Sequence, residues 1–443
     1  MIAQRLARLV DLRRGEAWPV ACSVGFFFCV LTSLMMLRPA REALGMQSGL
    51  DAVRWLFVGT AVATLLLNPV FGWLVSRHAR MRVLVATYGF FALSLLGFFA
   101  LLVGAPEAVG RVSGQVFYVW FSVFNLFATM AFWALMADRY TLEQSKRFFA
   151  LIAVGGTLGA IFGPWLASLL ARPLGTAALL PVSAAFLALA LVLAGIVART
   201  QPTARGAEED GVQGPVLGGS AWQGVRAVMR SPYLAGIAAY VLILAVMATL
   251  LYFTRLQMVA AQGAELDMRT ALFARIDMLT QIATLVIQLF IAGRLMKRLG
   301  VPLALALLPI TTALGFIGLA IVGSLAALIV VEAAFRAVQR AIMRPARETL
   351  FTVLGREDKY KAKAFVDTFV YRFGDVAGAQ LEGALGRLAM GLAAVTSVAV
   401  PLCLVWAALA VWLGRRQSRL AAPPAPDAQR HTSITLTQPG GQT

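Results

Sequence analysis

Residues 83–104, VLVATYGFFALSLLGFFALLVG, carry no charged side chain, and Arg77, Arg80 and Arg82 stand directly before them. A helix rises about 1.5 Å per residue, so this stretch is long enough to cross the roughly 30 Å hydrocarbon core of a bilayer. Runs of the same kind fall near 17–40, 52–75, 113–137, 147–171, 176–198, 233–255, 271–295, 302–322, 324–344, 364–386 and 390–413. The whole chain agrees with them, being 60% hydrophobic and 14% charged with a mean hydropathy of +0.78. A soluble domain carries about 25% charged residues. The alternating ten-residue segments of a membrane β-barrel are absent. The expectation is an all-α membrane protein of twelve spans. It divides into a six-helix bundle at 1–198, a polar linker at 199–231 holding Glu208, Glu209 and Asp210, a second bundle at 232–416 and a disordered tail at 417–443.

The chain holds 39 Lys and Arg against 21 Asp and Glu, a formal charge of +18. In a soluble protein that excess suggests nucleic acid, but here it sits in short loops, where it encodes topology. Twenty-seven cations fall on the side of the termini and nine on the other, with Arg336, Arg340 and Arg372 inside spans. Both termini are therefore expected in the cytoplasm of a multi-pass inner-membrane protein, with no nucleic-acid partner. The basic N-terminus lacks a cleavage pattern after the first run, which reads as a retained span.

Chemistry of the enzymatic kind is poorly provided for. Cys22, Cys29 and Cys403 lie singly in apolar runs, and only His78 and His431 could serve as imidazoles. No catalytic residue, metal ligand set, cofactor site or ATPase loop is expected.

Charges inside the apolar runs are the functional signal, because an arginine near the bilayer centre costs about 2.5–3.5 kcal/mol on insertion scales. Run 324–344 holds Glu332, Arg336, Arg340 and Arg344 at steps of four, with Arg347 beyond it. At helical spacing these share one slowly rotating face, with Glu332 available to pair with Arg336. Cavity lining is favoured for Arg336 and Arg340, while Arg344 and Arg347 suit snorkelling or ion pairing equally well. Run 364–386 adds Lys363, Asp367, Arg372, Asp375 and Glu382, of which Lys363 and Asp367 can pair with each other. The pentapeptide RPARE occurs twice, at Arg38–Glu42 and Arg344–Glu348. Each copy is read as a cation-rich helix end where proline breaks the backbone ladder, suited to phosphate or carboxylate. Gly155, Gly159 and Gly163 at steps of four are read as a helix-packing face in preference to a phosphate loop. Asn125, Gln281 and Gln288 fit helix–helix hydrogen bonds or substrate contacts alike, and Tyr118, Trp120, Phe369 and Tyr371 fit base stacking or packing alike.

Two resemblances follow from these residues. Gly72–Arg77 (GWLVSR) and Gly293–Arg298 (GRLMKR) repeat a G-x-L-x-x-R pattern 221 residues apart, which resembles the inner loop of major facilitator transporters. The chain also resembles the non-mitochondrial ATP/ADP translocases of plastids and intracellular bacteria. Arg38, Arg41 and Glu42 fall on the Arg, Lys and Asp of that family's R-D-T-K-D segment. Glu143 with Lys146, Arg147, Phe148, Phe149, Ala150 and Leu151 is similar to its E-A-K-R-F-Y-A-L. Pro345–Glu348 is similar to P-T-K-E, and Lys361–Asp367 to K-G-K-A-A-I-D. The chain departs from the pattern where Arg41 and Arg347 replace lysine and Pro39 replaces Asp.

The resemblance implies a facilitator-type fold and a small, anionic, nucleotide-like substrate carried by alternating access, in a monomer surrounded by lipid. The expected substrate-binding set is Arg38, Arg41, Glu42, Arg336, Arg340, Arg344, Arg347, Lys363, Asp367 and Arg372. The expected gating and ion-pair set is Lys146, Arg147, Glu332, Glu348 and Asp375. Transport of another organic anion or phosphate ester, and a non-transporting membrane scaffold, remain the competing readings.

Overall fold

The computed structural model describes residues 15–104, 107–200, 221–263, 265–355, 362–387 and 391–421. The acidic linker stretch at Glu208–Asp210, Lys361 and the tail after 421 lie outside the described residues. The first set of helices comprises α1 (Ala17–Gly45), α2 (Leu50–Arg77), α3 (Arg80–Gly104), α4 (Glu107–Arg139), α5 (Leu142–Leu174) and α6 (Leu179–Thr200). A short amphipathic helix, α7 (Ala221–Arg230), precedes the second set. That set comprises α8 (Pro232–Ala260), α9 (Leu266–Ile287), α10 (Gly293–Val322), α11 (Leu325–Val338), α12 (Arg344–Leu350), α13 (Tyr371–Arg387) and α14 (Gly391–Ala421).

Local signals place several helix ends. Thr141 accepts from the Gln144 N–H while the Gln144 side chain returns the bond, a capping box that starts α5 before its apolar run. Ser231 caps α8 ahead of Pro232, and Ser324 caps α11. The φ of +63° at Gly300 breaks α10 just before Pro302, where the apolar pattern restarts. The first G-x-L-x-x-R copy ends α2, whereas the side chains of the second lie outside the described residues.

Among the described residues, ten helices are long and apolar enough to cross a membrane, and the chain is a multi-pass membrane protein. Runs 324–344 and 364–386 fall outside that ten for a physical reason. Each is rich in charge and is interrupted by a π turn, at Gln339–Met343 and Val366–Val370. The backbone nevertheless stays helical from 325 to 350 and from 362 to 387.

Each set packs its own core. In the first, Phe26, Phe27, Tyr88, Phe91, Phe124 and Phe132 are buried together; in the second, Tyr240, Leu305, Phe316, Leu350 and Trp406 are. Glycine seams let the helices close. A Cβ on Gly155, Gly159 or Gly163 of α5 would lie 2.3, 2.4 or 2.7 Å from the carbonyl oxygens of Val24, Phe28 and Thr32 on α1. These glycines are a packing face, as the spacing predicts. The second set repeats the device, because Cβ atoms on Gly374 and Gly378 of α13 would lie 2.9 and 3.0 Å from the Leu242 and Val246 carbonyls of α8.

A third cluster joins the sets, with Ala43, Met46, Val53 and Tyr118 packed on Phe253, Leu256, Phe273, Ile276 and Ala379. It lies where α1, α8 and α13 finish and α2 and α9 begin, so the sets are sealed at that end.

Candidate functional site

Above this seal lies a cavity of about 450 Å³ between the two sets of helices. Arg38, Arg41, Glu42, Phe57, Phe121, Ser122 and Asn125 line it from the first set. Thr249, Tyr252, Glu332, Arg336, Gln339, Arg340, Tyr371, Arg372 and Asp375 line it from the second. Five arginines thus face one lumen, against three carboxylates.

The helix of the first RPARE copy is continuous, contrary to the expected break. α1 runs through Pro39 to Gly45, since a proline removes one N–H yet a helix packed on both sides can carry it. Continuity projects Arg38, Arg41 and Glu42 together. The Arg41 guanidinium lies 3.6 Å from the centre of the Tyr118 ring, donates to the Tyr118 carbonyl and Ser122, and meets Glu42 at 3.4 Å. Glu42 also accepts from Tyr252, whose hydroxyl shares a 2.9 Å hydrogen bond with that of Tyr118. The carboxylate is therefore held from both sets of helices at once.

A second ionic group lies beneath Arg38. Its Nε is 3.9 Å from Glu42 and 3.8 Å from Asp277 on α9. Asp277 meets Arg255 at 2.8 Å and Arg336 at 3.6 Å, while Glu332 meets Arg336 at 3.0 Å and Arg255 at 3.6 Å. Arg255 is 0% exposed and packs over the Phe273 ring. The expected Glu332–Arg336 pair is present, inside a larger network. Arg340 differs from these neighbours, because its guanidinium donates to the neutral Gln281. Arg372 pairs with Asp375 at 3.2 Å, and Thr249 donates to the same carboxylate.

The remaining expected residues stand elsewhere. Arg347 pairs with Asp367 at 3.1 Å and Glu348 at 3.7 Å, and Lys363 donates to Glu348 at 2.5 Å. Burial would raise the Glu348 carboxyl, but Lys363 and Arg347 beside it hold it below the usual carboxylate range. Arg344 is exposed. None of Arg344, Arg347, Lys363 and Asp367 lines the cavity. The π turn at Gln339–Met343 explains this, since one extra residue in a turn rotates everything after it by about 100° relative to a regular helix. Arg147 pairs with Glu16 at 2.9 Å within the first set, at the end away from the seal, and Lys146 lies one residue before it on α5.

Of the four rings considered for base stacking, Tyr371 lines the cavity. Tyr118 is buried under Arg41, Trp120 packs with Phe91, Phe98 and Phe117, and Phe369 stacks on Phe365. Residues absent from the sequence expectations complete the site: Tyr252, Arg255 and Asp277. The same rule that singles out Arg336, a charge inside an apolar run, finds Asp277; Arg255 reads as a flank of its run and Tyr252 as an ordinary aromatic.

At the seal, Arg54 on α2 donates to Glu382 on α13 at 2.8 Å, and Gln257 on α8 donates to the other oxygen of that carboxylate. Asp267 on α9 accepts from the Thr176 N–H at 2.7 Å, tying the sets again at this end.

The sequence profile of the Major Facilitator Superfamily matches residues 18–335. The chain is similar to ADP,ATP carrier protein 1 of Chlamydia muridarum, with 24% identity over 87% of this chain and 85% of that protein. Among solved structures it is similar to a bacterial homolog of the human lysosomal transporter Spinster, in an inward-facing and unoccupied conformation. That likeness has a TM-score of 0.60 at 12% identity, over 94% of this chain and 100% of the other. A variant of the nucleoside transporter NupG superposes with a TM-score of 0.61 at 14% identity, over 91% and 100%. The family match spans most of the chain, and the helix pattern, the two glycine seams and the central cavity are what such a fold requires. The chain belongs to the Major Facilitator Superfamily.

Proposed function

We propose that the chain is a secondary transporter of nucleotides, an exchanger of the ADP/ATP type working by alternating access. The observation that carries this reading is the cavity itself, where five arginines from both sets of helices face one lumen. Buried cations of this kind serve a charged substrate. Guanidinium groups suit phosphate, which they grip through a planar fork of donors. The likeness to an ADP,ATP carrier supports a nucleotide as the substrate.

The architecture proposed with this function has twelve spans, counting the helical stretches 325–350 and 362–387. The first bundle occupies 1–198, the linker 199–231, the second bundle 232–416 and the tail 417–443. Both termini face the cytoplasm, and a monomer works in the inner membrane. In that orientation the seal at Arg54 and Glu382 faces outward, and substrate reaches the cavity from the cytoplasm.

Proteoliposome counterflow with a panel of nucleotides tests the reading. Labelled ADP should accumulate in vesicles preloaded with ATP or ADP and not in vesicles preloaded with nucleosides. Accumulation driven by a non-nucleotide phosphate ester alone would replace the nucleotide with that ester, and no counterflow with any anion would remove the transporter reading.

A further inference from the structure

The arginines of the cavity are not equally available. In the first set of helices Arg38 and Arg41 share Glu42, so two cations meet one carboxylate. In the second, Arg336 is matched by Glu332 and Arg372 by Asp375. Behind the wall, Arg255 and Asp277 balance each other at 2.8 Å. That leaves Arg340, which donates to the neutral Gln281 and has no carboxylate within 4 Å among the described residues. Each set of helices therefore presents one unbalanced positive charge to the lumen.

An unbalanced charge in a low-dielectric site is costly, and a ligand that neutralises it recovers that cost. We infer that the cavity is matched to a phosphate ester carrying two negative charges, one met by the Arg38–Arg41 pair and one by Arg340. This rests on the reading of the cavity as the anion site. A single charge satisfies one set of helices and leaves the other unbalanced, so it cannot draw the two together. A dianion bridges them. A nucleoside monophosphate above its second ionisation fits the count, and a nucleoside triphosphate fits it as its magnesium complex.

The test uses charge at constant shape. AMP loses its second charge below pH about 6, the usual range for a phosphate monoester, whereas adenosine 5′-sulfate carries one charge throughout. Equilibrium binding to the purified full chain is measured for both at pH 5 and pH 8. AMP should bind about tenfold more tightly at pH 8, because only about one-tenth of it is dianionic at pH 5. Adenosine 5′-sulfate should stay weak at both. Arg340→Gln should weaken AMP at pH 8 by roughly tenfold or more and abolish its preference over the sulfate ester. Arg340→Lys should keep the preference, which separates lost charge from lost fold. ATP should bind more tightly with Mg²⁺ than without.

Equal affinity for AMP and its sulfate analogue at pH 8 would overturn the inference, as would an unchanged preference in Arg340→Gln or an ATP affinity that falls when Mg²⁺ is added. If neither adenosine ligand binds while phenyl phosphate outcompetes phenyl sulfate with the same pH dependence, the two-charge rule stands and the nucleotide reading fails. If no phosphate ester binds at any pH, both fail.

Discussion

Asp277 is 2% exposed and touches three arginines, while Arg255, 0% exposed, touches two carboxylates. Breaking such a pair leaves its partner charged and without water, a loss of about 3–5 kcal/mol in buried examples. Asp277→Ala should therefore lower the midpoint of thermal unfolding in detergent sharply. Glu348→Gln, at a half-exposed carboxylate, should change it little, since exposed pairs contribute about 0–1 kcal/mol. Equal midpoints for both variants would remove the buried network as a source of stability. These charges were visible in the sequence because they interrupt apolar runs. Their partners were not, because Glu42 and Tyr252, or Arg38 and Asp277, lie more than 200 residues apart and meet only when the two sets of helices dock. A one-dimensional pattern shows that a charge is misplaced but not which side chain neutralises it.

Helix against helix, the glycine positions are the most exacting. Gly159 of α5 touches the Phe28 carbonyl of α1, and Gly378 of α13 touches that of Val246 on α8. In both cases the obstacle to a larger residue is backbone, which cannot rotate away. Gly159→Val and Gly378→Val should each prevent recovery of monodisperse protein, while Gly97→Ala, whose Cβ meets nothing within 4 Å, should not, as size-exclusion chromatography can show. The α5 seam was legible from its spacing, and the α13 seam obeys the same spacing on a helix crowded with charge. The π turns were not legible. A strict 3.6-residue period puts Arg336, Arg340, Arg344 and Arg347 on one face, and the extra residue at Gln339–Met343 is what divides them between cavity and exterior. The latch at the seal adds a mechanical expectation. Arg54 has Asp51 on its own helix, and Glu382 has Gln257 in its own set, so neither is stranded when the pair separates. Glu382→Gln should shift the protein toward opening at this end, raising labelling of a cysteine placed at Thr60 by a membrane-impermeant reagent applied from that side. Unchanged labelling would mean the pair does not hold the seal.

The two sets of helices meet at one end and enclose a charged lumen, and that asymmetry is what alternating access needs. The sequence carried the membrane class, the helix order and the uneven loop charges, because each is written in local composition. It could not carry the seal, which depends on contacts between sets. The distribution of 27 cations against nine predicts the side on which the lumen opens. A cysteine at Glu208 in a background lacking Cys22, Cys29 and Cys403 should resist impermeant reagents from outside intact cells; ready labelling there would invert the topology and with it the direction of the cavity.

The proposed function stands on one arginine from each set of helices gripping the same anion. Equilibrium binding of ADP to Arg41→Gln, Arg340→Gln and the exterior control Arg347→Gln tests that grip. A charge-assisted hydrogen bond contributes about 1.5–3 kcal/mol, so each of the first two substitutions should weaken binding roughly tenfold to more than a hundredfold. Arg347→Gln, which loses only its contacts with Asp367 and Glu348, should bind within about twofold of the unaltered protein, the range of changes below about 0.5 kcal/mol. Unchanged affinity in Arg41→Gln and Arg340→Gln would contradict the account.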